Sequence, residues 1–129
     1  MVGTVIFDTD VLIWMQRGNL RAAALVDATA ARHLSVQSFM ELLQCAQDRK
    51  QQRIIRQFLA DFVFTVLPLT ENIGHRALVY IEEHGISSGL RAGDALIAAT
   101  AVENNLPLAT ENARHFRALK DLELKIFKP

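Results

Sequence analysis

Five short apolar, β-branched runs recur along this chain with helix-length segments between them, and that alternation constrains the fold more than any other feature of the sequence. The runs are Val5–Phe7, His33–Val36, Val63–Leu67, Leu106–Thr110 and Leu122–Phe127. Such runs bounded by turn residues read as strands. The segments between them carry helical patterns. Leu20–Ala31 is rich in alanine and leucine, and a second helix opens at Gln37-Ser38 and buries Phe39, Leu42, Leu43 and Ala46. The exposed charge run Arg49–Arg53 leads into Ile54, Ile55, Phe58, Leu59 and Phe62 at helical spacing, and Thr70-Glu71 begins a helix ending near Gly85. After a loop at Ser87–Gly89, Asp94–Val102 is apolar nearly all round, and Ala113–Leu119 forms a short helix. Strands joined by helical crossovers pair in parallel, because parallel neighbours cannot be linked by a tight turn. The expected fold is α/β, a three-layer sandwich with a central, mostly parallel sheet. At 129 residues it forms a single domain over residues 1–129, long enough to bury a core without a disulfide or a structural metal.

Charge and cysteine content narrow the function classes. Fourteen Lys and Arg balance fourteen Asp and Glu, so no overall field draws the chain to nucleic acid or to an anionic membrane, and a polyanion must be held by local clusters. The lone Cys45 excludes an intramolecular disulfide, a CxxC pair and a thiolate metal cage, and is expected to be a small, partly buried residue in a reducing, cytoplasmic setting. The amino-terminal apolar run meets Asp8 too soon to be a signal peptide, and no stretch approaches the ~20 apolar residues that span a bilayer. His33, His75, His84 and His115 lack zinc-site spacing, and Trp14 with Met15 reads as core or interface rather than as a base-stacking platform.

In open parallel sheets ligands bind beyond the carboxyl ends of the strands, so polar residues at those ends carry the functional signal. Asp8 directly follows the first strand, at what should be the end of a central one. It reads as a site residue or as a turn or N-cap aspartate, and Asp10 can cap the same helix, leaving one of the two free. Asp94 heads the most apolar helix, with Ile97, Ala98 and Ala101 on its face, and reads as a carboxylate at the mouth of the interior or as a cap. Ser38-Phe39-Met40-Glu41 fits a capping box, which from pattern alone is the better reading of Glu41. Thr110 and Asn112 follow the fourth strand, where Asn112 can also cap the next helix.

Four segments in order resemble the motif blocks of PIN-domain ribonucleases, in particular the VapC-type toxins of bacterial toxin–antitoxin modules. They are Val5–Ile13, Phe39–Leu42 around Glu41, Asp94–Ala101, and Leu108–Phe116. The resemblance implies a metal-dependent endoribonuclease in which Asp8, Glu41 and Asp94 bind Mg²⁺ or Mn²⁺ and Thr110 and Asn112 complete the pocket. It thereby displaces the capping role of Glu41. Asn112 stands where the family often has aspartate. Also implied are an RNA substrate, with tRNA among the candidates, a homodimer, and a cognate antitoxin whose arginine would suit an acidic pocket. Hard divalent cations prefer carboxylate oxygens, which agrees with these residue types. Arg17, Arg21, Arg91, Arg114 and Lys120 are candidates for phosphate contact. Two other readings stand beside this one. One is a catalytically silent protein-binding module of the same fold. The other is a haloacid-dehalogenase-like phosphatase using Asp8 and Asp10, although the paired acids expected of its last motif are absent. A phospho-acceptor receiver would need an aspartate after a middle strand, where Leu67–Thr70 offers none.

Overall fold

Residues 2–129 are described by a computed structural model of the chain, and Met1 lies outside them. The elements run β1 (Val2–Phe7), α1 (Thr9–Gln16), α2 (Leu20–Ala28), β2 (Thr29–Ser35), α3 (Val36–Gln44), α4 (Arg49–Asp61), β3 (Phe64–Leu67), α5 (Glu71–Ser88), α6 (Ala92–Glu103), β4 (Leu108–Thr110), α7 (Ala113–Phe116) and β5 (Leu124–Ile126). All four strand pairings are parallel, in the order β3-β2-β1-β4-β5. The chain winds outward from β1 through β2 to β3, then crosses back to build β4 and β5 on the other side. β1 is thus central, and the winding reverses between β1 and β4, which opens a crevice at their carboxyl ends.

Both faces of the sheet are covered, as the expected three-layer sandwich requires. Along β1, Val5 and Phe7 point to one face, where they pack with Val11, Leu34, Leu42 and Leu59. Ile6 points to the other, with Ile97, Ala98, Leu108 and Phe116. All three β1 residues are fully buried, which explains an unbroken apolar run where a half-exposed strand would alternate. The α6 segment is apolar nearly all round for the same reason: Ala95, Ile97, Ala98, Ala99, Thr100 and Ala101 are all buried.

The boundaries depart from the sequence expectations where tertiary contacts override local preference. The helix expected to reach Ala31 stops at Ala28, because Ala31 and Arg32 join the ladder with Thr4 and Val5, so β2 starts four residues before His33. Val36, expected in the strand, opens α3 instead, since Ser35 is its N-cap and accepts a hydrogen bond from the Ser38 amide at 2.9 Å. The fifth helix runs through Gly85 and absorbs Ser87 and Ser88, stopping only where Gly89 turns left-handed at φ 71°. The α7 helix is one turn, Ala113–Phe116, rather than extending to Leu119. Cys45, expected to be partly buried, is exposed at the end of α3. Among the described residues no helix is long and apolar enough to cross a membrane.

One position is strained. Val63, between α4 and β3, holds φ at 57°, a conformation that costs a β-branched residue, and its side chain is 76% exposed and contributes little packing. Val63→Asn should therefore raise stability by about 1 kcal/mol, roughly 4 °C in Tm, as read by thermal unfolding. An unchanged or lowered midpoint would show that the valine is not strained there.

Candidate functional site

The crevice between β1 and β4 is lined first by Asp8. It follows the last residue of β1 and is the positional N-cap of α1, with Oδ1 accepting the Thr9 amide at 2.7 Å. The capping reading is thus half right, because Oδ2 is turned across the crevice to accept the Thr110 hydroxyl at 2.7 Å. Thr110 ends β4 and is fully buried, and Asp8 itself is only 6% exposed. In the first turn of α1, Asp10 accepts the Glu111 amide at 3.0 Å through Oδ2, which also lies 3.3 Å from the Thr110 hydroxyl. One hydroxyl proton cannot serve both acids, and the shorter contact gives it to Asp8. The second oxygen of Asp10, Oδ1, is buried without any hydrogen-bond partner.

Two carboxyls drawn out of water this close together resist ionisation. Burial, and then the charge of Asp10, push the Asp8 carboxyl up to about 7 against the smaller opposing pull of its hydrogen bonds. The nearby Asp94 adds to the rise. Burial likewise pushes Asp10 up to about 6.

Glu41 reaches the same neighbourhood from α3. Its Oε1 accepts the Thr9 hydroxyl at 2.5 Å and its Oε2 accepts from Gln37 Nε2 at 3.1 Å. The capping box is not formed: Ser38 lies inside the helix with its own hydroxyl buried and unpaired, and Ser35 does the capping. Asp94 lies in the first turn of α6, whose N-cap is Arg91 without a side-chain bond, so Asp94 is not a cap either. Its Oδ2 stands 3.7 Å from Nδ1 of His115. Gly93 explains how α6 comes so close to α3. A Cβ there would sit 3.0 Å from Glu41 Oε2 and 3.2 Å from Gln37 Nε2, so a side chain at this position would press both polar groups aside by a few tenths of an ångström.

The predicted residues therefore meet in unequal ways. Asp8 and Thr110 are in direct contact, Glu41 joins through Thr9, and Asp94 lies at the helix end that abuts Glu41. Asn112 contributes only its backbone amide, which donates to Thr110 Oγ1 at 3.0 Å, while its exposed side chain caps nothing. Among the described residues no three Asp, Glu, His or Cys side chains converge as a ready metal cage; Thr9 and Gln37 engage Glu41, and His115 stands beside Asp94. Sequence reading passed over Thr9, Gln37, Gly93 and His115. Only Gln37 carried a pattern signal, at i−4 from Glu41 on one helix face. Arg17, Arg21, Arg91 and Arg114 are exposed. Lys120 instead lines a cavity of about 750 Å³ with Tyr80, Glu103 and Asp121, near the far end of α6, nine residues or about 13 Å along the axis from Asp94.

The donor set fits a hard divalent cation. It consists of carboxylate oxygens with hydroxyl and amide support, it includes one buried oxygen with no partner, and its central carboxyl ionises fully at neutral pH only if positive charge arrives.

The raised carboxyls have a consequence for the metal-free protein. Asp8 and Asp10 bind protons more tightly folded than unfolded, so the folded state loses stability as pH rises from the unfolded carboxylate value near 4 through about 7. In chelator, unfolding midpoints should fall between pH 5 and pH 8, and Asp8→Asn should flatten that fall and raise the midpoint at pH 8. Parallel pH profiles of the two proteins would show that Asp8 is not the source.

Comparison with known proteins points to one family. The PIN domain family profile matches residues 5–122. The chain is 34% identical over 125 residues to Ribonuclease VapC10 of Mycobacterium tuberculosis, covering 92% of this chain and 90% of that protein. Ribonuclease VapC28 of the same species is 32% identical over 114 residues, covering 81% and 86%. Among solved structures, a toxin–antitoxin complex from Klebsiella pneumoniae superposes with a TM-score of 0.78 at 26% identity, covering 92% of this chain and 95% of that one. VapBC2 from Rickettsia felis, bound to a promoter DNA fragment, gives 0.75 at 16% identity, covering 99% and 100%, and so speaks to the fold alone. By profile, sequence relatives and three-layer architecture together, this chain belongs to the PIN domain family.

Proposed function

We propose that the chain is a metal-dependent endoribonuclease, a single domain over residues 1–129 acting in the cytoplasm as the toxin of a toxin–antitoxin pair. The observation that carries this reading is Asp8: a buried carboxyl at the β1/β4 crevice, sharing Thr110 with Asp10, and costly to ionise without a cation. The relatives named ribonuclease and the neighbours solved with antitoxins support the activity and the partner class.

Asp8, Asp94 and Glu41 would hold Mg²⁺ or Mn²⁺. When bound, the cation supplies positive charge that offsets the charge developing on the phosphoryl oxygens of RNA. The protein's own groups do the positioning. The Thr9 amide and the Thr110 hydroxyl hold the Asp8 carboxylate in one orientation, and Thr9 Oγ1 with Gln37 holds Glu41. The Asn112 amide orients the Thr110 hydroxyl so that its proton faces Asp8, and the exposed Asn112 side chain is free to meet substrate. After β4 only Glu111 and Asn112 stand where a phosphatase of that kind would carry paired acids, which disfavours the phosphatase reading. A cognate antitoxin would silence the site most economically by placing a guanidinium among these carboxylates, a bidentate match. The active unit is a homodimer, as the family resemblance implies.

Cleavage of a labelled tRNA pool tests the proposal. Wild type should cut with Mg²⁺ or Mn²⁺ and not in EDTA, and Asp8→Asn or Asp94→Asn should lose about a hundredfold or more, some 3 kcal/mol of transition-state stabilisation, while remaining folded. Cleavage that survives either substitution would sink the assignment, and folded wild type silent with every metal and RNA tried would favour the binding module. Gly93→Ala separates positioning from folding. Alanine suits the first turn of α6, so stability should hold or rise, whereas the displaced Glu41 carboxylate should lower cleavage by about tenfold. Unchanged cleavage would mean that Glu41 is not needed where it stands.

A further inference from the structure

Trp14 is the single tryptophan of the chain, and it lies one helical turn from Asp10 on the same face of α1. Its indole N–H donates to Glu111 Oε2 at 2.7 Å, and Glu111 is the residue whose amide holds Asp10 and whose neighbour Thr110 holds Asp8. The ring is therefore fixed at the rim of the acidic crevice by the loop that completes it. It is partly buried against the α1 side of the core, and Arg17, one turn further along, places its guanidinium 5.9 Å from the ring centroid. Arg17 is exposed and, among the described residues, has no carboxylate within ion-pair distance. An aromatic face with a free arginine beside it is the usual device for holding an unpaired base and its phosphate.

We infer that Trp14 and Arg17 form a nucleotide subsite beside the cleavage site, in which a base of single-stranded RNA stacks on the indole while Arg17 covers the base or takes the adjoining phosphate. The stripe Asp10, Trp14, Arg17 then sets the path of the strand away from the acidic crevice along α1. A base between indole and guanidinium needs two stacking distances, about 7 Å, and the exposed Arg17 side chain supplies the difference from 5.9 Å. The subsite selects unpaired over paired RNA, since a duplexed base offers no free face. Glu111 acts as a positioning residue, locking the ring so that stacking orders little else. Trp14 also packs against the core, as the sequence led one to expect, and the inferred subsite would add to that role.

This inference rests on the ribonuclease reading, and the sole tryptophan supplies its own reporter. Folded Asp94→Asn protein in Mg²⁺ is titrated with a fluorescein-labelled single-stranded oligoribonucleotide and with the same sequence as a duplex. Anisotropy follows binding and indole emission follows Trp14. The expected result is quenching of indole emission that tracks binding of the single strand, weak or absent with the duplex. In parallel, Trp14→Leu should weaken single-strand binding by roughly 5- to 100-fold, while Trp14→Phe stays within a few-fold of the parent. Cleavage by Trp14→Leu in the otherwise wild-type chain should show a raised KM with kcat largely kept. RNA binding without a change in indole emission, or with Trp14→Leu binding as tightly as the parent, overturns the subsite and leaves the nuclease intact. Absence of both binding and wild-type cleavage overturns the nuclease reading and the subsite with it.

Discussion

Everything in this molecule is arranged around one strand that cannot face water. The carboxyl half of β1, Val5–Phe7, lies between β2 and β4 and is buried on both faces, whereas Gly3 and Thr4 ahead of it are exposed. Such a stretch has to be apolar, and the next polar side chain along the chain has to appear where the sheet stops. Asp8 is that residue. Its backbone amide still belongs to the sheet, donating to Ala109 at 2.9 Å, while its carboxyl has already left it. The ladder thus places a charged group at the edge of the driest part of the protein, and the reversal of winding between β1 and β4 leaves it no strand to pack against.

A carboxyl in that position is costly, and its surroundings offset the cost only partly. One amide and one hydroxyl reach Asp8, while burial and the neighbouring Asp10 act against them, and the balance leaves the group reluctant to ionise near neutral pH. A fold selected for stability alone would have put an asparagine or a serine there, satisfying the same donors without a charge. That it holds two acids around one hydroxyl, one of them with a buried oxygen that has no partner, is the pattern in which strain at a site is tolerated for what the site binds. The same argument explains why Thr110 is a hydroxyl rather than an apolar residue at the end of a buried strand: among the described residues it is the side chain within hydrogen-bond distance of both acids.

The architecture was legible because it depends on periodicity, which is local. The five strand runs and the helical stripes between them gave the parallel sheet and placed Asp8 and Thr110 at strand ends. Boundaries were misread where a distant partner decides them. Leu20–Ala31 is strong helix composition throughout, and nothing within it announces that Ala31 will pair with Thr4. At the site, the pattern-based reading of Glu41 failed for a physical reason. Capping is a property of the first turn, and a serine three residues ahead of a glutamate fits the motif whether or not the helix begins there. It begins three residues earlier, at Ser35, which leaves Glu41 in the second half of α3 and facing Thr9. The family resemblance singled out Glu41 where periodicity did not, and the structure turns it toward Thr9. Thr9, Gly93 and His115 stayed invisible because each acts across the chain, and their roles appear only once α1, α3, α6 and α7 are brought together.

That dispersal has a mechanical consequence. The acidic residues come from the end of β1, the first turns of α1 and α6, and the second half of α3, so no single element holds them all. What joins them is a chain of small groups: Thr110 between Asp8 and Asp10, Thr9 between α1 and Glu41, and bare backbone at Gly93 between α3 and α6. Each link consists of only one or two contacts. A loss at any link would let one carboxylate drift without disturbing the two apolar layers, because those layers are fixed by the strands and helix faces and not by the site. Folding and function in this protein are therefore separable to an unusual degree: the core sets where the crevice is, and a handful of hydroxyls, amides and one glycine set what the crevice can hold.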